Sequence, residues 1–269
     1  MTPPAGRVRA RPNFSVVCLT VALANMLAFV SPAHAELKVR SPLVTWREAE
    51  FEHNGLLTFD KRKSGLNGNQ SYTYELGYGV TPWWFVELEI ETQALAGQNH
   101  RLKARTIENT FQLLPQGKYW IDLGLFVEYA NSVIPGEPSE IVVGPILQKE
   151  APGFLGATTL HTVNAFLTRE VGHNRGDRTG LFVAAQSRLR LHPLFEPGAE
   201  LYYSVNDVRR PGRFADQEVF AGPVLAGAYA LGRAGLPGKV KYEVGYLFGA
   251  TAQSPRGAVR WRFEYELAF

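Results

Sequence analysis

Along most of its length the chain alternates apolar and polar side chains in short runs. The clearest run closes the sequence. Val259, Trp261, Phe263, Tyr265, Leu267 and Phe269 hold one set of positions, and Arg260, Arg262, Glu264, Glu266 and Ala268 the other. Successive side chains of a strand point to opposite faces, so this rhythm predicts a β-strand with one greasy and one charged side. The same rhythm predicts strands over 69–80, 84–94, 102–114, 119–130, 139–149, 158–170, 180–192, 195–205, 217–230 and 239–250. A weaker run over 45–57, carrying Trp46, Phe51 and Leu57, completes a set of twelve. Pro145 and Pro223 fall inside two of these runs, where proline ordinarily marks an edge or a bulge.

The charged faces restrict the architecture. Glu87, Glu89 and Glu91 share one face of a single run, opposite Val86, Leu88 and Ile90. Three unpaired carboxylates cannot sit in a dry apolar core without a very large cost. Two all-β folds fit regular strands with turn signals between them: a secreted sandwich, or an antiparallel up-and-down barrel with lipid outside and a polar lumen. Twelve strands with long aliphatic and aromatic faces supply more apolar surface than a sandwich buries. Trp83, Trp84, Tyr119, Trp120, Tyr129 and Trp261 near strand ends suit interfacial girdles. The reading is therefore a transmembrane barrel of twelve strands. Its connections at Pro82, Pro115 and Pro193 are short, and those on the other side are mostly longer and richer in Gly, Asn and Lys/Arg. Lys61-Arg62-Lys63 and Arg209 to Arg213 lie in two of the longer ones.

The beginning of the chain agrees. Arg7, Arg9 and Arg11 form a basic start, Val16 to Val30 an apolar stretch too short to span a bilayer as a helix, and Ala33-His34-Ala35 a small-x-small cleavage site. Residues 1–35 thus read as a signal peptide, leaving a barrel over 36–269. Its removal takes three of the 28 basic residues, none of the 25 acidic ones, and Cys18, the single cysteine. The mature chain then has balanced charge, no disulfide and no thiolate metal site. Balanced charge gives no electrostatic case for nucleic acid. A mean hydropathy of −0.13 is compatible with a barrel, in which only alternate residues face lipid.

With both ends in view, the sequence resembles the outer-membrane β-barrel proteins of Gram-negative bacteria, whose last strand commonly alternates and ends in Phe. That resemblance implies that Tyr265, Leu267 and Phe269 form the signal read by the barrel-assembly machinery. Three further segments, Tyr78 to Trp84, Gln116 to Phe126 and Gly144 to Glu150, resemble a family of proteobacterial outer-membrane proteins with no assigned activity. The first of them also resembles barrels grouped loosely with outer-membrane transporters for aromatic compounds. Lipid and lipopolysaccharide would be the surroundings of such a barrel. Deleting Phe269 is expected to lower outer-membrane levels and heat-modifiable gel mobility while leaving export intact.

No motif for chemistry emerges. His53, His100, His161, His173 and His192 lack metal-ligand spacing, and there is no G-x-S-x-G, phosphate loop or complete calcium loop. His100, His173 and His192 read as solvated. His161 and Asn164 would suit a serine lipase only on one face, and their odd separation puts them on opposite ones. No catalytic residue, metal or cofactor is expected. The candidate lumen wall is instead a set of charges: Glu87, Glu89 and Glu91; Glu108; Asp122 and Glu128; Arg188 and Arg190; Glu196 and Glu200; Lys239 and Lys241; and Arg260, Arg262, Glu264 and Glu266. Barrels of about eight strands are filled by side chains and those of about sixteen hold a water channel, so twelve leaves the lumen undecided. The expected function is a passive conduit for small solutes. A closed structural or surface-interaction barrel is the alternative, and an outer-membrane lipid-modifying enzyme stands third.

Overall fold

The computed structural model describes residues 37–63, 65–153 and 156–269. The predicted signal peptide, residues 1–35, lies outside them. The described chain forms β1 (Glu48–Phe59), β2 (Gln70–Thr81), β3 (Trp84–Ala94), β4 (Arg101–Gln112), β5 (Asp122–Ser132), β6 (Ser139–Pro152), β7 (Thr158–Val171), β8 (Thr179–Arg190), β9 (Glu196–Val205), β10 (Glu218–Ala230), β11 (Lys239–Gly249) and β12 (Gly257–Ala268). Each strand pairs antiparallel with its neighbours in sequence, and β1 pairs with β12 from Glu48↔Ala268 to Phe59↔Gly257, closing the barrel. Closure leaves no strand edge, so every strand backbone can find partners on both sides.

Alternation sets the facing of each strand. In β3, Glu87 and Glu89 are buried inside, while Leu88 and Ile90 are exposed outside. In β12, Arg260, Glu264 and Glu266 are buried and Phe263 is exposed. In β7, Leu160, Thr162, Asn164 and Phe166 point inward and His161, Val163 and Leu167 outward. His161 and Asn164 are thus on opposite faces, as their spacing requires.

The connections define two ends. The turn end carries 82–83, 113–121, 153, 156–157, 191–195 and 231–238, and the loop end carries 60–63, 65–69, 95–100, 133–138, 172–178, 206–217 and 250–256. One short turn expected from sequence is longer. The run over 119–130 does not begin at Tyr119, because β5 starts at Asp122. Asp122 Oδ1 accepts the Gly117 N–H at 2.7 Å, and Gly117 has a left-handed φ of 66°, so the loop folds back on itself first. Tyr119 and Trp120 are left exposed at the turn end. Trp261 departs from the girdle expectation. It lies inside β12, with its ring over Gly55 of β1, where an added Cβ would be 2.1 Å from the ring.

The two prolines mark neither an edge nor a strand break. Pro145 pairs with Leu125 of β5, but the ladder from β6 to β7 passes from Val143↔Leu167 to Ile146↔Asn164. Likewise Pro223 pairs with Ala199 of β9, while β10 and β11 skip from Ala221↔Phe248 to Val224↔Gly245. Each proline follows a glycine whose bare Cα lets the neighbouring carbonyl approach. A Cβ at Gly144 would lie 2.0 Å from the Ala165 carbonyl oxygen, and one at Gly222 1.9 Å from that of Tyr246. Because backbone must give way, Gly144→Ala is expected to destabilise by about 1–3 kcal/mol, the usual cost of overpacking. Urea unfolding in detergent would read this as a lowered midpoint.

Candidate functional site: the lumen and the segment inside it

The lumen contains part of the chain itself. Residues 37–44 precede β1, and Leu37, Lys38, Val39 and Arg40 are all buried. The segment runs inside the barrel and leaves at the turn end, where the chain reverses. There Arg47 takes a left-handed φ of 62°, donates its N–H to the Gly79 carbonyl at 2.9 Å and accepts the Phe269 N–H at 3.0 Å. A Cβ at Gly79 would fall 1.9 Å from the Thr45 carbonyl oxygen, so this reversal needs glycine at that place on β2.

Polar side chains of the barrel wall hold the segment at Lys38, Val39, Arg40, Ser41 and Val44. Lys38 Nζ lies 2.5 Å from both Glu52 and Glu75 and 3.8 Å from Glu87. Asn54 Nδ2 donates to Glu52 and Glu75, each at 2.7 Å, and to Thr73, so β1, β2 and β3 act together on one ammonium group. Arg40 makes a forked pair with Glu108 of β4, Nη2 to Oε1 at 2.5 Å and Nε to Oε2 at 3.2 Å, and its guanidinium lies 4.4 Å from the centre of the Phe126 ring. Asn164, fully buried, grips the backbone of Arg40 from both sides. Its Oδ1 accepts the N–H at 2.7 Å, and its Nδ2 donates to the carbonyl at 2.9 Å. Arg262 Nη1 donates to the Val39 carbonyl at 3.3 Å, Ser41 Oγ to Gln148 Oε1 at 3.2 Å, and the Val44 N–H to Gln112 Oε1 at 2.9 Å.

A second network fills the wall from β8 to β12. Arg260 joins Glu200 and Glu243; Arg262 joins Glu243 at 2.6 Å and approaches Glu52 at 3.9 Å; Arg188 reaches Glu243 at 3.4 Å and Glu196 at 3.6 Å. Gln186 donates to Glu200 at 2.6 Å and Tyr202 to the same carboxylate at 3.1 Å. Towards the turn end Lys239 pairs with Glu266, and Lys241 with Glu264 and Glu266. Lys103 pairs with Glu91 at 2.8 Å, and Arg190 with Glu150 at the rim. Between the two networks runs an apolar stack. Phe126, Phe166, Phe182 and Tyr202 lie ring on ring with centroids 4.8–6.4 Å apart, packed with Leu37, Val39, Ile146, Phe220 and Leu247.

The charged residues singled out from the sequence take inward positions, with Asp122 and Glu128 on the inward row of β5 and Arg190 at its rim. What the alternation did not give is which of them meet. Glu52, Glu75 and Glu243 were absent from the candidate set yet sit at the hubs, and Lys38, Arg40 and Asn164 complete them. Among the described residues, three trios of carboxylates are compact enough to face a metal ion: Glu48, Glu50 and Glu266; Glu50, Glu52 and Glu264; and Glu75, Glu87 and Glu108. Each trio already has a lysine or arginine against at least one member.

Outside the barrel, two clusters escaped the sequence. His100 is not merely solvated: its ring stacks on Tyr72 at 4.3 Å and its nitrogens meet Thr92 and Gln70. His161 meets Ser187 of the next strand, Nδ1 to Oγ at 2.9 Å, with Nε2 3.1 Å from the Thr159 hydroxyl. The pairing of His161 with Ser187 across β7 and β8 could have been found only once strand register was known. At the loop end, a side-chain hydrogen bond from Arg62 holds the Asp60 carboxyl below the usual range, and one from Arg213 does the same for Asp216. Lys63 donates to the carbonyls of Ala252 and Gln253. Part of each basic loop cluster therefore serves its own loop.

No protein-family model matches the chain, and no curated protein matches it. The family resemblance of the three quoted segments thus gains no support. Among solved structures, the chain is similar to the crystal structure of the transport unit of the autotransporter AIDA-I from Escherichia coli. The two are 11% identical with a TM-score of 0.36, over 97% of this chain and 100% of that one. A likeness at that level bears on neither activity nor substrate.

Proposed function

We propose that this chain is an integral outer-membrane barrel whose lumen is a stoppered passage for small solutes. The observation that carries the reading is the division of the strand faces. Outside are rows such as Leu76, Leu88, Ile90 and Phe263, which are wasted on water; inside are buried carboxylates matched by lysines and arginines. Lipid is the surrounding that stabilises the first without disturbing the second. The stopper is residues 37–44, and passage requires their displacement from the acidic wall of β1 to β4.

A closed barrel with no passage is the second reading, favoured by the aromatic stack and the Arg260 network beside the segment. Single-channel conductance separates the two. Open events, raised by weakening the segment's contacts, support the conduit, whereas a silent barrel under every condition supports the closed form. The lipid-modifying reading has the Ser187–His161 contact in its favour, but the second histidine nitrogen faces a threonine hydroxyl rather than a carboxylate or amide. We take the protein as non-enzymatic.

Orientation follows from the barrel-assembly reading, with the turn end periplasmic. A cysteine placed at Gly65 or Gly212 is then expected to react with an impermeant maleimide on whole cells, with no other cysteine in the mature chain to compete. Labelling only after the outer membrane is disrupted would reverse the orientation.

A further inference from the structure

We infer that the lumen wall is a binding site for an extended basic peptide of the pattern Lys-x-Arg, and that residues 37–44 are its tethered occupant. The inference uses lumen geometry alone and stands whether or not solutes pass.

Two kinds of contact separate a peptide site from a merely acidic pore. The first is side-chain selection. The ammonium group of Lys38 is taken by Glu52 and Glu75, and the guanidinium of Arg40 by a planar fork with Glu108 and the face of Phe126. A fork of this kind is matched to guanidinium shape and is stronger than contact with a point charge. The second is backbone recognition that does not depend on sequence. Asn164 supplies an acceptor and a donor to the same residue, as a neighbouring strand would, and Arg262 and Gln112 bind one further backbone group each. Asn164 is fully buried on the inner face, where a polar amide would be costly without such a partner. Register carries the pattern: Lys38 and Arg40, two residues apart, meet different strands while Val39 between them joins the apolar cluster.

Such an occupant is also replaceable. A tethered ligand competes at an effective concentration in the millimolar range, so a free peptide of equal affinity binds the intact chain weakly. Charge reversal within the segment should release the site. The probe is a fluorescent synthetic peptide with the sequence of Leu37 to Val44, titrated against refolded mature protein in detergent and followed by anisotropy. The Lys38→Glu/Arg40→Glu chain is expected to bind it saturably and at least tenfold more tightly than the unaltered chain. The same peptide with glutamine in place of lysine and arginine should bind at least tenfold more weakly. Equal binding of basic and neutral peptides, or no binding to a double variant that keeps its heat-modifiable mobility, overturns the inference.

Should the double variant fail to fold, Ser41→Cys/Gln148→Cys bridged by a short bis-methanethiosulfonate replaces it, since Ser41 Oγ lies 3.2 Å from the far end of the Gln148 side chain and the linker spans the length a cysteine lacks. Cross-linking should lock the segment in place and abolish the weak peptide binding of the chain, and reduction should restore it. Binding indifferent to cross-linking is equally fatal. A barrel that binds peptide yet never conducts would overturn the solute passage proposed above and leave the peptide site standing. A conducting barrel that ignores the peptide would do the reverse.

Discussion

Leu88→Arg is expected to lower the stability of the barrel by about 2–4 kcal/mol, the range for an arginine placed at the bilayer midplane on the lipid face of a strand. Leu88 lies in the middle of β3, pairs with Leu76 and Ile107, and is 60% exposed on the outer surface. Nothing there can pair a guanidinium, because both cross-strand neighbours are aliphatic and outward-facing too. The adjacent Glu89→Gln should cost markedly less, because it places no charge in hydrocarbon. Glu89 points inward, and a glutamine there keeps its shape and one of its two acceptor oxygens. Refolding into lipid vesicles, followed by urea titration of each variant, reads the contrast. Equal losses for the two would mean that β3 does not present these faces to lipid and lumen, and the membrane reading would fall with it.

The twelve strands were legible because each alternation has an unambiguous partner on both sides. A strand with Glu87, Glu89 and Glu91 on one face has one tolerable facing, and its neighbours inherit the register. Strand ends were less legible, as at Tyr119 to Ile121, because an alternating triplet cannot announce that a side chain such as Asp122 closes the turn behind it. The lumen was legible only in part. Reading inward positions as wet passed over Phe126, Phe166, Phe182 and Tyr202, which occupy the same inward rows and stack into an apolar filling. Residues 37–44 were missed altogether, although a signal for them exists. The inward rows of β1 to β4 hold Glu52, Glu75, Glu87, Glu89 and Glu108. Such an excess of buried acid demands cations from elsewhere, and Lys38 and Arg40 lie a few residues upstream of β1, beyond Arg47 at the chain reversal. Counting charge by face, rather than over the whole chain, would have exposed the gap. Cross-barrel meetings such as Arg260 with Glu200 depend on the curvature of closure, which alternation does not encode.

Arg260→Met is expected to cost about 3–5 kcal/mol, the loss typical when one partner of a buried ion pair is removed and the other remains. Arg260 is 3% exposed, and its guanidinium bridges β9 and β11 from β12, with Nε 2.5 Å from Glu200 Oε2 and Nη2 2.8 Å from Glu243. The two carboxylates would suffer unequally. Glu243 keeps Arg262 at 2.6 Å and Arg188 at 3.4 Å, whereas Glu200 keeps the neutral donors Gln186 and Tyr202. The penalty should therefore reside mainly at Glu200, and Arg260→Met/Glu200→Gln should recover most of it, since methionine fills the space of the stem and glutamine carries no charge to strand. A double-mutant cycle on urea midpoints in detergent measures this coupling, expected at about 1–3 kcal/mol for residues in one network. The size of the single-variant loss also reports on the lumen. Several kcal/mol requires Glu200 to be cut off from water, as its 3% exposure and its contact with Tyr202 of the aromatic stack imply. A loss below about 1 kcal/mol, the scale of an exposed pair, would mean that water reaches the carboxylate readily and that this part of the lumen is wet.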